Sequence, residues 1–343
     1  MKPPRVVHRA GLEASASPYR LVDGGGAEIG WINQFLDMQC VRGLAAVSLR
    51  SYAGFLSHFL RWWQCQPGVD VTRLEVRQFT ESTLIDYVRY QRNRVPPVPA
   101  AVVNGRSAML RRLFEFHFHQ PMPHSPCLIR PHWKGRARKP AADLTVRVPP
   151  RVIEPLSLEQ VQRFWSSFHN CRDLAVVGLM LLNGLRSCEV LSLEVDDLLL
   201  SEARIRVRGK GAKVRWLPLP PETIQLLDCY MRTERPHAGS SRVFLSRKGR
   251  ARGKPMTAAG LRSLFRYHRS TSGVANANPH RFRHTFCCDM IRAGVSLPAL
   301  QRLMGHSDIQ TTLLYIHVSP QEVFDEYARA VKRQVSPPGI ARP

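Results

Sequence analysis

The sequence predicts a mainly α-helical protein with one small antiparallel β-sheet, organised as two domains. Three observations carry this prediction. Apolar residues recur at helical spacing through two long stretches of the chain. One segment, Arg204-Ile205-Arg206-Val207-Arg208, alternates strictly between polar and apolar. Between the two helical stretches lies a Pro-rich segment, residues 121–155, in which no such period survives. A length of 343 residues agrees with two domains at about 150 residues each.

The elements follow in order. Residues 1–25, with Pro3-Pro4 and Gly24-Gly25-Gly26, lack a pattern and are expected to form a loose lead-in. A short helix near Ile29–Met38 opens the first domain, residues 26–120. Leu49, Tyr52, Ala53, Leu56, Phe59, Leu60 and Trp63 form an i, i+3, i+4, i+7 stripe. Thr80–Arg94 and Ala100–His119 read as two more helices, the second burying Met109, Leu110, Leu113 and Phe114. Arg106, Arg111 and Arg112 fall largely off that stripe, as residues of a solvated face do. Residues 121–155 read as an extended linker carrying Arg130, Lys134, Arg136, Arg138 and Lys139. A second domain, residues 156–332, begins with helices at Leu158–Phe168, Leu174–Leu182 and from about Arg186. The alternating strand then turns at Gly209-Lys210-Gly211 and returns through Lys213–Pro218. Helices at about Glu222–Arg232, Thr257–His268, Pro279–Ala293 and Leu297–Met304 follow, with a small strand near Val243–Leu245. A last helix starts at about Pro320, and residues 333–343 are a tail.

Composition narrows the function classes. With 44% apolar and 22% charged residues, the chain has the make-up of a globular protein rather than a disordered one. Its longest apolar run, Leu174 to Leu182, is far short of the roughly 20 residues that cross a bilayer. No apolar segment follows Met1-Lys2-Pro3-Pro4-Arg5, so a cytoplasmic location is expected, with no membrane partner. Lys+Arg total 50 against 26 Asp+Glu, a formal net charge of +24, and both halves carry an excess of base. Such a charge attracts polyanions. Arginine, whose planar fork suits phosphate oxygens, supplies 42 of the 50; a codon bias toward arginine accounts for that as well. The eight cysteines contain no C-x-x-C pair, so free thiols are expected, with neither a disulfide framework nor a zinc site.

Five segments carry chemistry-bearing residues: Asn183-Gly184-Leu185-Arg186-Ser187-Cys188-Glu189; Arg208-Gly209-Lys210-Gly211; Pro279-His280-Arg281-Phe282-Arg283-His284-Thr285; Leu303-Met304-Gly305-His306-Ser307; and Thr311-Thr312-Leu313-Leu314-Tyr315. Asn278 as cap and Pro279 at the first position start a helix, which puts His280, Arg283 and His284 on one face of its first turn. A helix N-terminus already attracts anions, and these side chains strengthen it. The zincin metal motif needs Glu after its first His, and Arg281 stands there instead. Glu189 is placed to hold the Arg186 fork, which by itself reads as a surface ion pair of little consequence. Lys210, His306 and Tyr315 each have ordinary readings too: a turn lysine, a capping histidine and a packing residue.

Taken together, in this order, the five segments resemble the boxes of the tyrosine recombinase (phage integrase) family. Gly184-Leu185-Arg186 resembles its first Arg box, and Gly209-Lys210-Gly211 before Leu217-Pro218-Leu219 resembles its β-hairpin lysine. His280-Arg281-Phe282-Arg283 is similar to the His-x-x-Arg box, Leu303-Met304-Gly305-His306 to the Leu-Gly-His box, and Thr311-Thr312 with Tyr315 to the nucleophile segment. The resemblance covers roughly residues 157–330 with motifs, and the 27–120 bundle in general character.

The resemblance implies a site-specific DNA recombinase. Catalytic roles would fall to Arg186, Lys210, His280, Arg283, His306 and Tyr315, the last as nucleophile. Two arginine forks would clamp the nonbridging oxygens, with a hydrogen bond from His306. His280 would accept the Tyr315 proton, and Lys210 would protonate the leaving 5′ oxygen. The 3′-phosphotyrosyl bond keeps the phosphodiester energy, so no ATP and no cofactor are implied. The boxes hold one acid, Glu189, where two-metal nucleases need several. The helical bundle and the mixed catalytic domain would form a C-shaped clamp on double-stranded DNA at a recombination site, in the nucleoid. Arg204, Arg206 and Arg208, with Arg130, Lys134, Arg136, Arg138 and Lys139 of the linker, are candidates for the flanking DNA backbone. The family also implies a homotetramer that exchanges strands through a Holliday junction, with companion recombinases as further partners and a C-terminal helix, Val318–Lys332, that docks on a neighbour or in cis. A mobile-element integrase or transposase and an Xer-like resolvase both fit. Relaxation of the type IB topoisomerase kind, and a catalytically silent DNA-binding protein, are the alternatives.

Overall fold

The computed structural model describes residues 2–74, 78–119, 122, 145–148, 154–209 and 213–305. The chain separates into two compact units, Met1–Pro150 and Arg151–Pro343. Among the described residues it is mainly helical with small antiparallel sheets, as the periodicities predict. No described helix is long and apolar enough to cross a membrane.

The first unit contains a hairpin, β1 (Arg5–His8) and β2 (Tyr19–Val22), and four helices: α1 (Gly30–Val41), α2 (Ala46–Trp63), α3 (Glu81–Arg92) and α4 (Ala100–Phe118). The hairpin corrects the expectation of a loose lead-in. Its strands pair with Arg5 opposite Val22 and His8 opposite Tyr19. Buried Asn33 on α1 gives Leu21 both a donor and an acceptor, at 3.0 and 2.8 Å, in place of a third strand. That pairing is a side-chain event across 12 residues, which periodicity does not register. α3 starts where Thr80 caps the amide of Thr83, and the core is aromatic, with Phe35, Phe59, Trp63, Phe79, Tyr87 and Phe114 all buried.

Arg106 does not lie on a solvated face. Its guanidinium donates to Gln91 at 2.8 Å and to His58 Nε2 at 3.2 Å, while His58 Nδ1 meets the Tyr87 hydroxyl at 2.6 Å. Because arginine only donates, Nε2 must accept, and a second proton on the ring is opposed. Partial burial, then the charges of Arg106, Arg94 and Arg61, push the His58 pKa down to about 4.

The second unit holds α5 (Leu158–Trp165), α6 (Cys171–Leu181), α7 (Ser187–Ser192), β3 (Leu198–Leu199), β4 (Arg204–Arg208), β5 (Val214–Pro218), α8 (Pro221–Cys229), α9 (Ala258–Ser272), α10 (Pro279–Arg292) and α11 (Leu297–Met304). α6 is buried nearly all round from Ala175 to Met180, which is why it reads as an uninterrupted apolar run. The sheet runs β3-β4-β5, antiparallel, with Arg204 opposite Pro218 and Arg208 opposite Val214. Ile205, Val207 and Leu217 point to the core from it. The strand expected near Val243–Leu245 is reduced to isolated bridges, Glu194 to Arg242 and Leu245 to Pro255. A smaller apolar cluster of Phe286, Cys287, Cys288, Leu300 and Met304 joins α10 to α11.

The cysteines require a correction as well. Cys171, the first residue of α6, and Cys229, the last of α8, are joined in a disulfide. Fifty-eight residues separate them in sequence, so no local spacing announces the pair. Packing of α6 on α8 creates it.

The polar triad in the first unit gives a test of its packing. Titrated by imidazole NMR, His58 is expected to stay neutral until about pH 4. Because the folded value lies below the ordinary one, the unfolded chain gains the proton first, and this unit loses stability as pH falls below about 6.5. A His58 titration near pH 6.5 would show that the triad is not formed.

Candidate active site

The second unit gathers three arginines, Arg186, Arg215 and Arg283, around one buried carboxylate. α7 starts at Arg186, whose backbone amide donates to Glu189 at 2.8 Å. The turn before it depends on Gly184, in the left-handed region at φ +66°. A Cβ there would stand 2.4 Å from the ring of Phe286 and 3.0 Å from the sulfur of Met304. Glu189, 2% exposed, accepts from Arg186 Nη1 at 2.9 Å and, bidentate, from Arg215 Nη1 and Nη2 at 2.9 Å each. The guanidinium of Arg283 stands 3.9 Å from its second oxygen. Burial raises the Glu189 pKa, but the Arg215 hydrogen bonds, the Arg186 amide and the arginine charges outweigh it and hold the carboxyl below its usual value.

The same arginines close the end of α11. Arg215 Nε donates to the carbonyl of Leu303 at 2.9 Å. Arg186 Nη1 and Arg283 Nη2 donate to that of Met304 at 3.2 and 2.7 Å, and Arg186 Nη2 to that of Gly305 at 3.3 Å. Arg283 also donates to the carbonyl of Gly184. A helix C-terminus carries unpaired carbonyls and partial negative charge, so three guanidinium groups there are both hydrogen-bonded and favourably placed. Gly305, at φ +62°, ends the helix with its α-carbon against Arg215.

α10 begins as its sequence requires, with Asn278 accepting from the Arg281 amide at 3.0 Å. His280 lies exposed in its first turn, but surrounding chain partly dehydrates the ring. That dehydration, then the charges of Arg283, Arg281 and Arg186, lower its pKa and favour the neutral imidazole. The expected trio on one face is split. Arg283 and His284 are 3% and 2% exposed, because their side of α10 packs into the domain, and His284 lies beside Cys288.

Arg186 and Arg283 are thus brought together at the end of α11, and His280 lies one turn before Arg283 on α10. Lys210, His306 and Tyr315 lie outside the described residues, as do Arg130, Lys134, Arg136, Arg138 and Lys139 of the linker and the C-terminal helix. Arg204, Arg206 and Arg208 line the outer face of the sheet, each against an acid. Arg204 pairs with Glu202 and stacks over Trp216, Arg206 meets buried Asp197 at 2.7 Å, and Arg208 reaches Glu194 at 2.7 Å and Asp197 at 3.1 Å. Their charge is largely met within the fold, which the strand's alternation alone does not reveal.

Two participants were missed or underrated in the sequence. Arg215 shares the parity of Leu217 and lies opposite Val207 on the buried face of the sheet. An arginine at that parity requires a buried acid, and that was the readable signal. Glu189 is the acid, and its pairing is interior rather than superficial. Among the described residues no group of His, Cys, Asp and Glu side chains could hold a metal ion.

Comparison with known proteins shows what the chain is similar to. The phage integrase family model matches residues 154–322. The tyrosine recombinase XerD of Vibrio cholerae is 30% identical over 308 residues, covering 86% of this chain and 93% of the relative. XerD of Vibrio vulnificus is 29% identical over 310 residues, with the same coverages. Among solved structures, the Tn1549 transposon integrase in complex with a circular intermediate DNA matches with a TM-score of 0.65 at 20% identity, covering 87% of this chain and 99% of that one. XerH bound to its difH substrate matches with a TM-score of 0.62 at 18% identity, covering 87% and 83%. These structural likenesses bear on the fold.

The close approach at Gly184 is testable by substitution. Gly184→Ala combines left-handed strain with a clash against Phe286 and is expected to lower unfolding free energy by about 2–4 kcal/mol. Calorimetric unfolding measures it, and a loss within about 0.5 kcal/mol would contradict the packing of this turn.

Proposed function

Since the chain belongs to the tyrosine recombinase (phage integrase) family, we propose that it cuts and rejoins double-stranded DNA at a specific site through a 3′-phosphotyrosyl intermediate. The observation that carries the proposal is the convergence of Arg186 and Arg283, from separate helices, on the end of α11, with His280 one turn before Arg283 on α10. Chain positions one and ten residues beyond Gly305 are His306 and Tyr315.

The chemistry follows from these groups. A phosphodiester resists attack because its negative charge repels nucleophiles and grows on the nonbridging oxygens in the transition state. Two guanidinium forks meet that charge in a partly dehydrated site, where they act more strongly than in water. Tyr315 Oη attacks the phosphorus and the bond to the 5′ oxygen breaks. A phenol has a pKa near 10, so a base must take its proton, and His280, held neutral, is the acceptor. Lys210 donates a proton to the departing 5′ oxygen, and His306 hydrogen-bonds a nonbridging oxygen. In the reverse step a 5′ hydroxyl from another strand attacks the phosphotyrosyl bond, so the bond energy is conserved and strands are exchanged.

The basic excess of both halves supports the DNA backbone as a partner of both units, with the basic residues of the Pro-rich linker as candidates for the flanking phosphates. Exchange between two sites calls for four protomers, a Holliday junction and, in heterologous pairs, a companion recombinase. The nucleoid is then the working location.

The test is covalent capture. Duplexes retained by the protein from a random-sequence library, rebuilt with a nick beside each backbone position, serve as suicide substrates. Wild type is expected to form a DNA adduct resistant to detergent, and Tyr315→Phe none. Absence of an adduct from wild type would overturn the proposal. Efficient relaxation of any supercoiled plasmid, without a retained site, would turn it toward a topoisomerase.

A further inference from the structure

Arg215 belongs to no motif box, yet all three of its guanidinium nitrogens are hydrogen-bonded within the site. It sits on the inward face of β5 with its side chain 13% exposed. Its fork takes both oxygens of Glu189, and its Nε takes the carbonyl of Leu303. A carboxylate offers about four lone-pair directions. At Glu189 they meet Arg215 Nη1, Arg215 Nη2, Arg186 Nη1 and the Arg186 amide.

The charge arithmetic of the cluster gives this arrangement a purpose. Among the described residues three guanidinium groups face one buried carboxylate, which leaves two positive charges. Without Arg215 the carboxylate would remain buried and in need of a counter-ion. The nearest cations are then Arg186, already bonded to it, and Arg283, 3.9 Å away. Arg186 would be held there more fully and Arg283 drawn in, and one net positive charge of the three would remain where phosphate charge develops. Arg186 and Arg283 are also the groups that reach the last carbonyls of α11, so their displacement moves the point at which the chain leaves for His306.

We propose that Arg215 is a positioning residue, the dedicated counter-ion of Glu189, which keeps the charges of Arg186 and Arg283 available to the scissile phosphate and fixes the end of α11. The inference rests on the recombinase reading. It predicts a rate effect that depends on the charge of Glu189, which a purely structural role would not produce.

The experiment measures single-turnover adduct formation on the suicide duplexes described above, alongside affinity for the same duplexes. Arg215→Ala is expected to slow adduct formation by about 10- to 100-fold while changing duplex affinity by less than about threefold. Adding Glu189→Gln in the Arg215→Ala background is expected to restore at least about tenfold of the loss, because the uncompensated charge is gone. Arg215→Lys, which keeps the charge but not the fork, is expected to fall between. If Arg215→Ala melts before assay, Arg215→Lys and the double variant carry the same comparison. Undiminished adduct formation in Arg215→Ala, or a double variant no faster than Arg215→Ala, overturns the inference while leaving the recombinase reading intact. No adduct from wild type overturns that reading and this inference with it.

Discussion

One buried carboxylate holds the second unit's site together. Glu189 lies almost wholly out of water, where an unpaired charge costs several kcal/mol. It is tolerable because arginines from a helix start and a returning strand converge on it, with a third guanidinium close by. Those arginines are oriented by the carboxylate and in turn orient the end of α11 through its last carbonyls. The glycines at 184 and 305 permit the two close approaches that this requires.

In the proposed reading, the arrangement explains how the Arg186 and Arg283 forks are oriented before a phosphate arrives. Guanidinium groups are planar and rotatable, and ordering several of them at the moment of binding would cost conformational entropy. Here backbone carbonyls and Glu189 hold them beforehand. The carbonyls are neutral acceptors, so they fix direction without cancelling charge. Arg215 takes both oxygens of the carboxylate, so that Arg186 gives it one side-chain nitrogen and Arg283 stands 3.9 Å off.

Much of this was legible in the chain. Stripes such as Leu49–Trp63, the cap at Asn278 and the alternation at 204–208 fixed elements whose observed bounds differ by only a few residues. Arg186, His280 and Arg283 stood out because each lies in a local motif. What escaped was non-local. Arg215 reaches Glu189 across 26 residues, Cys171 meets Cys229 across 58, and Asn33 completes a hairpin from a neighbouring helix. The three arginines of β4 were visible, but the acids that meet Arg206 and Arg208 come from a short turn before β3, and the one that meets Arg204 from the turn after it. Spacing reports which face a side chain occupies; it does not report who waits on that face.

The central claim is that Arg186 and Arg283 act as one unit on a single phosphate around Glu189. A double-mutant cycle measures this directly, comparing adduct rates of Arg186→Ala, Arg283→Ala and the double variant. The account predicts strong non-additivity, with each single loss nearly as severe as both together. Losses that simply multiply would show two independent contributions and would contradict it.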